Sequence, residues 1–236
     1  QKPSVFNTQK KASVIKGKIA FENVHFTYQD TNIEALKGVD FTIEEGKTLA
    51  VIGKTGSGKT TILELIGRMY NTTKGDIKID GVSIENVNLY SLRDSIGYVP
   101  QDPFLFSDTL NNNIKFGKNK ASDQDVIQAA KDAVVHDNII NFSKGYDTVL
   151  GERGITLSGG QKQRVSIARA FIKSPKILLL DDCLSAVDTE TEEQILNNIE
   201  KISKNTTTVI VSHRISSVKN ADHIIVLDDG QIIQEG

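Results

Sequence analysis

The chain contains several short apolar segments, most of which end at a glycine, a proline or an acidic residue. In the clearest case the four apolar residues at 177–180 run directly into two carboxylates, Asp181 and Asp182. An apolar run of this length bounded by charge is typical of a strand buried on both faces of a sheet. Apolar runs or alternations of this kind predict strands in KIAFENVHFTY, ALKGVDFTIEEG, KTLAVIG, GDIKIDG, SIGYVPQ, KILLLDD and TTTVIVSH.

Two predicted strand regions carry a local irregularity. In KIAFENVHFTY the apolar positions change parity between Phe21 and Val24, which predicts a β-bulge. Near the end of the chain, Asp229 and Gly230 separate two apolar alternations. An Asp-Gly pair in this position predicts a β-hairpin.

The segments between the strands predict helices. One helix is expected at residues 60–69, a second begins at LSGGQ and is ended by Pro175, and a third covers about 188–203. Residues 108–145 hold many helix formers and little β-branched alternation, with Ser122 as a plausible N-cap, so they predict a helical insert. Strands that alternate with helices predict an α/β fold built on a mainly parallel sheet.

Composition excludes some classes of protein. With 236 residues, of which 38% are hydrophobic and 25% charged, the chain is long enough for a packed core and is not expected to be disordered. Its net charge of −2 lacks the basic excess of most nucleic-acid binders, so we expect no nucleic-acid partner. The single cysteine, Cys183, rules out an internal disulfide and is expected to be a buried, unreactive thiol in a reducing compartment.

The first part of the chain differs from the rest. Residues 1–18 contain five lysines and little apolar periodicity, so they are predicted to form a linker. No stretch approaches the roughly 20 apolar residues that are needed to cross a bilayer. Because the chain begins with Gln1 and not with methionine, we expect it to be part of a longer protein.

Residues 53–60, GKTGSGKT, fit the phosphate-binding pattern G-x-x-x-x-G-K-[ST] between a predicted strand and a predicted helix. Glycines let successive backbone N–H groups converge on one point, and the following helix adds its positive end. The ammonium of Lys59 is suited to the terminal phosphates, and the hydroxyl of Thr60 to Mg²⁺. We therefore expect ATP and Mg²⁺ to bind at Gly53, Lys54, Thr55, Gly56, Ser57, Gly58, Lys59, Thr60 and Thr61.

Asp181 completes this predicted site. A phosphate-loop protein uses a carboxylate at the end of a neighbouring buried strand to hold Mg²⁺, usually through water. A lone aspartate after a strand would be an ordinary turn residue, but the loop at 53–60 favours the metal role.

LSGGQ at 157–161 resembles the signature of the ATP-binding-cassette (ABC) ATPases, and the resemblance covers about residues 19–236. It implies a P-loop NTPase core, an antiparallel β subdomain at the N-terminal side and a helical subdomain at about 102–172 that carries the signature. In this family each ATP lies between the phosphate loop of one domain and the signature of another. A second ABC domain is therefore implied, whose ATP would contact Ser158, Gly159, Gly160 and Gln161.

Further residues resemble family positions. Gln101 resembles the glutamine that ligates Mg²⁺ and senses the transport domain, and SAVD at 185–188 resembles the loop at the dimer interface, including Asp188. His213 resembles the switch histidine at the γ-phosphate, although an isolated histidine would more often be structural. Tyr28 resembles the aromatic residue that stacks on adenine, with a plain strand aromatic as the alternative.

Two stretches, LGERG at 150–154 and DSIGYVPQDPFLFSDTLNNNI, resemble exporter members of the family. This implies a transmembrane domain in the same polypeptide and a location at the cytoplasmic face of the cell membrane. An importer ATPase, a regulatory nucleotide-binding module without turnover, or a soluble clamp in DNA repair or translation remain alternatives. The soluble clamps carry coiled-coil inserts or tandem cassettes, and the chain has neither heptads nor a second phosphate loop.

Asp182 departs from the family pattern. Active members have glutamate there, which polarises the attacking water, and aspartate is one methylene shorter. We therefore expect the chain's own site to bind ATP and hydrolyse it slowly, as in one half of a heterodimeric multidrug exporter. The alternative is a fully active homodimer in which a repositioned loop lets aspartate do the same work.

Overall fold

The computed structural model describes residues 5–151, 156–202, 205–214 and 218–236. Its centre is a six-stranded sheet with the spatial order β10-β9-β3-β8-β7-β6. All neighbouring strands of this sheet are parallel except β9 and β10, which form the hairpin predicted at Asp229 and Gly230. The strands are β3 (Thr48–Gly53), β6 (Ile96–Val99), β7 (Ile177–Asp181), β8 (Thr207–Val211), β9 (His223–Asp228) and β10 (Gln231–Glu235).

Strand β7 is buried along its whole length, as its uninterrupted apolar run predicts. Its side chains alternate between two hydrophobic cores, with Ile177 and Leu179 on one face of the sheet and Leu178 and Leu180 on the other. The carboxyl ends of β3, β7 and β8 therefore meet at one edge, since all three strands are parallel. Their apolar bodies fix the positions of the polar residues that follow them.

One sequence expectation about this edge was wrong. The strand that ends at Asp181 was expected to neighbour the strand that ends at Gly53, but β8 pairs with both and lies between them. The distinction is invisible in the sequence, because β3, β7 and β8 are similar apolar runs and the crossover helices allow more than one strand order.

A second sheet is antiparallel, with the order β2-β1-β4-β5. The register between β1 and β2 shifts between Phe21 and Val24, which confirms the predicted bulge. Phe21 and Phe41 stack across this pair with ring centroids 4.4 Å apart. The strands are β1 (Ile19–Tyr28), β2 (Ile33–Ile43), β4 (Lys74–Ile79) and β5 (Val82–Ser83).

Seven α-helices lie in the described residues, and residues 110–140 form three of them, as the predicted helical insert requires. Ser122 caps one in a reciprocal capping box with Asp125. The short helix after Asn88 was not predicted from the sequence, and two 3₁₀ turns occur at Ile84–Asn86 and Gly145–Asp147. The helices are α1 (Lys59–Ile66), α2 (Leu89–Asp94), α3 (Leu110–Lys115), α4 (Asp123–Asp132), α5 (His136–Ile140), α6 (Gly159–Phe171) and α7 (Thr189–Ile202).

Two helices end earlier than expected. Helix α1 stops at Ile66 because Gly67 caps it and Arg68 takes a positive φ of 49°, so Met69 is outside it. Helix α6 stops at Phe171, and Ser174, with a φ of 48°, turns the chain before Pro175 is reached. The predicted end of α7 at Ser203 lies outside the described residues.

Residues 5–18 of the predicted linker are described, and residues 1–4 lie outside the described residues. Asp80 accepts hydrogen bonds from the N–H groups of Lys16, Gly17 and Lys18, which fixes the chain just before β1. That residues 1–18 connect to another domain stays a prediction.

Cys183 is buried, and burial raises the pKa of its thiol, as expected for an unreactive side chain. None of the helices in the described ranges is long and apolar enough to span a membrane.

Candidate functional site

The loop at residues 53–60 connects β3 to α1 at the carboxyl edge of the central sheet. Two of its glycines are required by close contacts. A Cβ atom on Gly53 would lie 2.1 Å from the carbonyl oxygen of Leu227, and one on Gly58 would lie 2.5 Å from that of Ala35. Gly58 also has a φ of 102°, a backbone conformation that residues with a Cβ atom rarely adopt. The loop can follow this path only with glycine at these positions.

Lys59 points its ammonium back into this loop. Its Nζ donates hydrogen bonds to the carbonyl oxygens of Gly53, at 2.8 Å, and Lys54, at 2.7 Å. Burial lowers the pKa of Lys59, and the nearby carboxylates of Asp182 and Asp181 oppose that shift. The site thus contains a largely buried cation at the position where the sequence predicts phosphate binding.

Thr60, the next residue, meets the end of β7. Its hydroxyl donates a hydrogen bond to Oδ1 of Asp181 at 3.1 Å. Asp181 is only 3% exposed, and burial is the main cause that raises the pKa of its carboxyl. A hydroxyl and a carboxylate are oxygen ligands of the kind Mg²⁺ prefers, so the residues present fit this ion.

Asp182 is held in an unusual backbone conformation. Its φ is 42°, a left-handed value that is rare for a residue other than glycine. Its N–H donates to the carbonyl oxygen of Val211 on β8 at 2.9 Å, which fixes its place beyond β7. The amide nitrogen of Gln101 lies 3.5 Å from its Oδ2. The structure therefore brings the Gln101 amide to the carboxylate of Asp182, and ligation of Mg²⁺ by Gln101 stays a prediction.

Sequence reasoning missed Gln163, which is 4% exposed on α6. Its Nε2 donates to the carbonyl oxygen of Gln101 and its Oε1 accepts from the N–H of Ala186, both at 3.3 Å. One side chain thus joins two loops of the site. Gln163 lies four residues before Ile167, which is fully buried, so helical spacing on the apolar face of α6 was the available signal.

The signature residues lie at the start of α6, with Ser158 as its N-cap and Gly159, Gly160 and Gln161 in its first turn. Ser158 caps the helix by accepting from the N–H of Gln161, and the Gln161 side chain accepts in turn from the N–H of Ser158. The N–H groups of Gly159 and Gly160 lie in the first turn, where no helical carbonyl can pair with them. A Cβ on Gly160 would lie 2.9 Å from the carbonyl oxygen of Ala186. The signature turn thus packs directly on the loop at 185–188.

Tyr28 lies beside the first turn of α1. Its hydroxyl is 2.9 Å from that of Thr61 and donates to Oε2 of Glu64 at 2.7 Å. Burial, assisted by Glu64, raises the pKa of Tyr28 to about 12, so the phenol stays protonated at neutral pH. Its ring lies nearly perpendicular to the rings of Phe26 and Tyr70, with centroids 4.8 and 5.6 Å away. Stacking of Tyr28 on adenine stays a prediction.

The two remaining predicted residues flank the site. His213 is exposed two residues after β8 ends. The carboxylate of Asp188 accepts from the N–H of Thr191 at 3.0 Å and so caps α7, and this bond is the main cause that lowers the pKa of Asp188. Of the exporter-like stretch at 150–154, residues 152–154 lie outside the described residues.

Comparison with known proteins identifies the family. The profile of the ABC transporter family matches residues 36–185, which is more than half of the chain. The chain belongs to the ABC transporter family. The family, the fold class and the ATPase class expected from LSGGQ and the loop at 53–60 are thereby confirmed.

Individual ABC proteins are similar to nearly the whole chain. ATP-binding cassette sub-family B member 6 of Xenopus tropicalis is 50% identical over 220 residues, which is 93% of this chain and 26% of that protein. A putative multidrug export ATP-binding/permease protein of Staphylococcus aureus is 47% identical over 221 residues, 94% of this chain and 38% of that protein. A bacterial Atm1-family ABC exporter solved with ATP bound superposes with a TM-score of 0.93 at 42% identity, covering 99% of this chain and 41% of that one.

This ABC domain therefore spans about a quarter to two fifths of the proteins it matches. Its relatives include exporters, which agrees with the exporter-like stretches in its sequence. The roles of individual site residues in this ABC domain stay predictions, as does the activity of the longer protein.

Proposed function

We propose that this ABC domain binds Mg²⁺-ATP at residues 53–60 and hydrolyses it to drive export by a membrane transporter. One observation carries the proposal: Lys59, Thr60 and Asp181 converge at the carboxyl edge of the central sheet. A buried cation beside a hydroxyl–carboxylate pair is suited to the terminal phosphates and their magnesium ion.

Each residue at this edge has a distinct part in the proposed reaction. Lys59 would exchange its bonds to the loop carbonyls for bonds to the terminal phosphates, and Thr60 and Asp181 are the residues that would hold Mg²⁺. When bound, Mg²⁺ neutralises part of the phosphate charge. Asp182 accepts a hydrogen bond from the attacking water, and Gln101 restricts its carboxylate. His213 contacts the γ-phosphate.

The finer proposal is that hydrolysis at this site is slow because Asp182 stands where active relatives carry glutamate. The carboxylate of an aspartate lies about 1.3 Å closer to the backbone than that of a glutamate. A misplacement of ~1 Å in a catalytic group can lower the reaction rate about 100-fold. The N–H of Asp182 is bonded to Val211, which opposes a compensating shift of the backbone. ATP binding depends on other residues and should be unaffected.

We further propose that the domain pairs with a second ABC domain whose own site carries the glutamate. Ser158, Gly159, Gly160 and Gln161 would then contact the partner's ATP, and Asp188 would lie at the interface. The transmembrane domain would belong to the same polypeptide, with the ATPase at the cytoplasmic face of the cell membrane. The exposed signature turn at the start of α6 supports this arrangement.

A fully active homodimer is the second candidate. The contact between Gln101 and Asp182 favours it, because the shorter carboxylate still reaches a residue that the family uses around the nucleotide. The two candidates differ in the effect of lengthening the side chain at 182.

The test is the steady-state ATPase rate of the full-length protein in its native assembly, with and without Asp182→Glu. The proposal expects an increase of about 10- to 100-fold with little change in ATP affinity. Asp30→Glu, the same change at an exposed position, is the control and should leave the rate unchanged. No increase with Asp182→Glu, or a native homodimer with rapid turnover, would overturn the slow-site proposal.

A further inference from the structure

The loop at residues 185–188, called the interface loop below, is fixed by side chains from two sides. On one side, Gln163 accepts a hydrogen bond from the N–H of Ala186. On the other side, Arg214 donates from Nη2 to the carbonyl oxygen of Ser185 at 2.8 Å and from Nη1 to that of Val187 at 3.3 Å. Three consecutive residues of the loop are therefore held through their backbone.

Arg214 reaches a third element as well. Its Nη1 lies 2.6 Å from Oε2 of Glu192, in the first turn of α7. The Glu192 side chain is 2% exposed, whereas that of Arg214 is 40% exposed, so the ion pair runs from the surface into the core. A planar guanidinium can serve two carbonyls and a carboxylate at once, and an ammonium cannot reproduce that geometry.

Arg214 follows His213 directly in the chain, and its own N–H donates to the hydroxyl of Ser212 at 3.0 Å. The two residues share one planar peptide group and their Cα atoms are about 3.8 Å apart, so a shift of the His213 backbone can pass directly to Arg214. The guanidinium would carry that displacement to the interface loop and to α7.

We propose that Arg214 is a positioning residue that couples His213 to the interface loop. The inference rests on the proposed function, in which His213 meets the γ-phosphate of one site and the interface loop lies at the seam with the second domain. Arg214 then makes the position of the loop depend on whether His213 is engaged by nucleotide. It touches neither ATP nor the attacking water.

A purely structural role would be to neutralise the buried Glu192. The double variant Glu192→Gln/Arg214→Gln separates the two roles, because it removes both charges together. If neutralisation is the whole role, the double variant recovers the wild-type rate. If positioning is the role, the double variant still lacks the guanidinium that bonds to the carbonyl oxygens of Ser185 and Val187, so its ATPase rate stays low.

The experiment uses the full-length protein in its native assembly. It measures the ATP dissociation constant, KM, kcat and amide hydrogen exchange of residues 183–188, with and without Mg²⁺-ATP. For Arg214→Gln we expect kcat to fall about tenfold. An effect of this size corresponds to the loss of one charge-assisted hydrogen bond that holds the interface loop in place for the reaction. KM and the dissociation constant should stay within about twofold, since the phosphate loop is untouched.

Exchange in the interface loop should rise in Arg214→Gln and lose its dependence on Mg²⁺-ATP. Arg214→Lys should recover part of kcat, because one of the carbonyl contacts can be replaced. The control is Arg93→Gln, which also removes an arginine bonded to two backbone carbonyls, those of Gly67 and Arg68, away from the interface loop. It should change neither kcat nor exchange at 183–188.

Unchanged loop exchange and kcat in Arg214→Gln, or full recovery in the double variant, would overturn the inference. Failure of the proposed function gives a different result, since wild-type protein would then show no ATP turnover in any assembly. In that event nucleotide-dependent exchange at 183–188 still decides whether Arg214 couples the two segments.

Discussion

The hydroxyl of Thr60 donates a hydrogen bond to the carboxylate of Asp181 across 3.1 Å. These residues are 121 positions apart in the sequence, and β8 lies between β3, which precedes Thr60, and β7, which ends at Asp181. Because parallel strands end at a common edge, the side chains after non-adjacent strands can still meet. The pair marks the place where the predicted phosphate loop and the predicted magnesium ligand become one site.

Replacing Asp181 by asparagine should have two effects of opposite sign. We expect the affinity for Mg²⁺ in the presence of ATP to fall about 10- to 100-fold, since the charged ligand is lost. Without Mg²⁺ at neutral pH, the free energy of unfolding should increase. The folded-state pKa of Asp181 is raised, mainly by burial, so the ionised carboxylate destabilises the fold above that pKa and protonation relieves the penalty as pH falls.

Chemical denaturation at neutral and acidic pH, with and without Mg²⁺, checks both effects. The stability difference between Asp181→Asn and wild type should shrink as the pH is lowered. Lower stability of the variant at neutral pH without Mg²⁺ would show that burial of the charge is not penalised.

Lys59→Ala should abolish ATP binding. The loop would lose its buried cation, and losing two charge-assisted hydrogen bonds to phosphate weakens binding by at least about 100-fold. Titration with a fluorescent ATP analogue measures the effect. Lys120→Ala removes the same charge at an exposed position and should bind normally. Wild-type affinity in Lys59→Ala would mean that the phosphates lie elsewhere.

Gly58→Ala should destabilise the fold more than Gly56→Ala. Both glycines have positive φ values, 102° and 82°, so either substitution strains the backbone. A Cβ on Gly58 would also lie 2.5 Å from the carbonyl oxygen of Ala35, whereas nothing lies within 4 Å of one on Gly56. We expect losses of about 2 to 3 and about 1 kcal/mol in the free energy of unfolding, measured by urea denaturation. Equal losses would contradict the contact with Ala35.

Asp188 should stabilise α7 in a pH-dependent way. Its folded-state pKa is lowered, chiefly by the hydrogen bond from Thr191, so its contribution is present above the unfolded pKa and is lost as pH falls through the folded value. Asp188→Asn keeps a capping oxygen but cannot titrate, so its stability should depend less on pH over that range. Thermal unfolding across acidic pH measures this. An identical pH profile in the two proteins would mean that the cap does not require the charge.

The sequence was sufficient where structure is determined locally. Asp229 and Gly230 specify their hairpin, Ser122 its helix start, and the apolar run before Asp181 its buried strand. The glycine pattern at 53–60 could be interpreted in the same way, because the positions of the glycines themselves indicate where the backbone must curl tightly.

The sequence was insufficient where distant segments decide the outcome. The placement of β8 between β3 and β7 follows from crossover connections that an apolar run does not encode. Gln163 and Arg214 acquire their roles only when the interface loop is folded against them. The left-handed backbone conformation of Asp182 likewise accompanies its hydrogen bond to Val211 of β8. Nothing in the neighbouring sequence predicts that conformation.

The burial of Cys183 makes this chain convenient for spectroscopic labelling. It is the single cysteine among 236 residues, its side chain is 2% exposed, and burial raises the pKa of its thiol, so little reactive thiolate forms. A cysteine introduced at the exposed position of Ile233 would react with a maleimide dye in its place. Fluorescence from that dye could follow the approach of two such chains without any change to the native thiol.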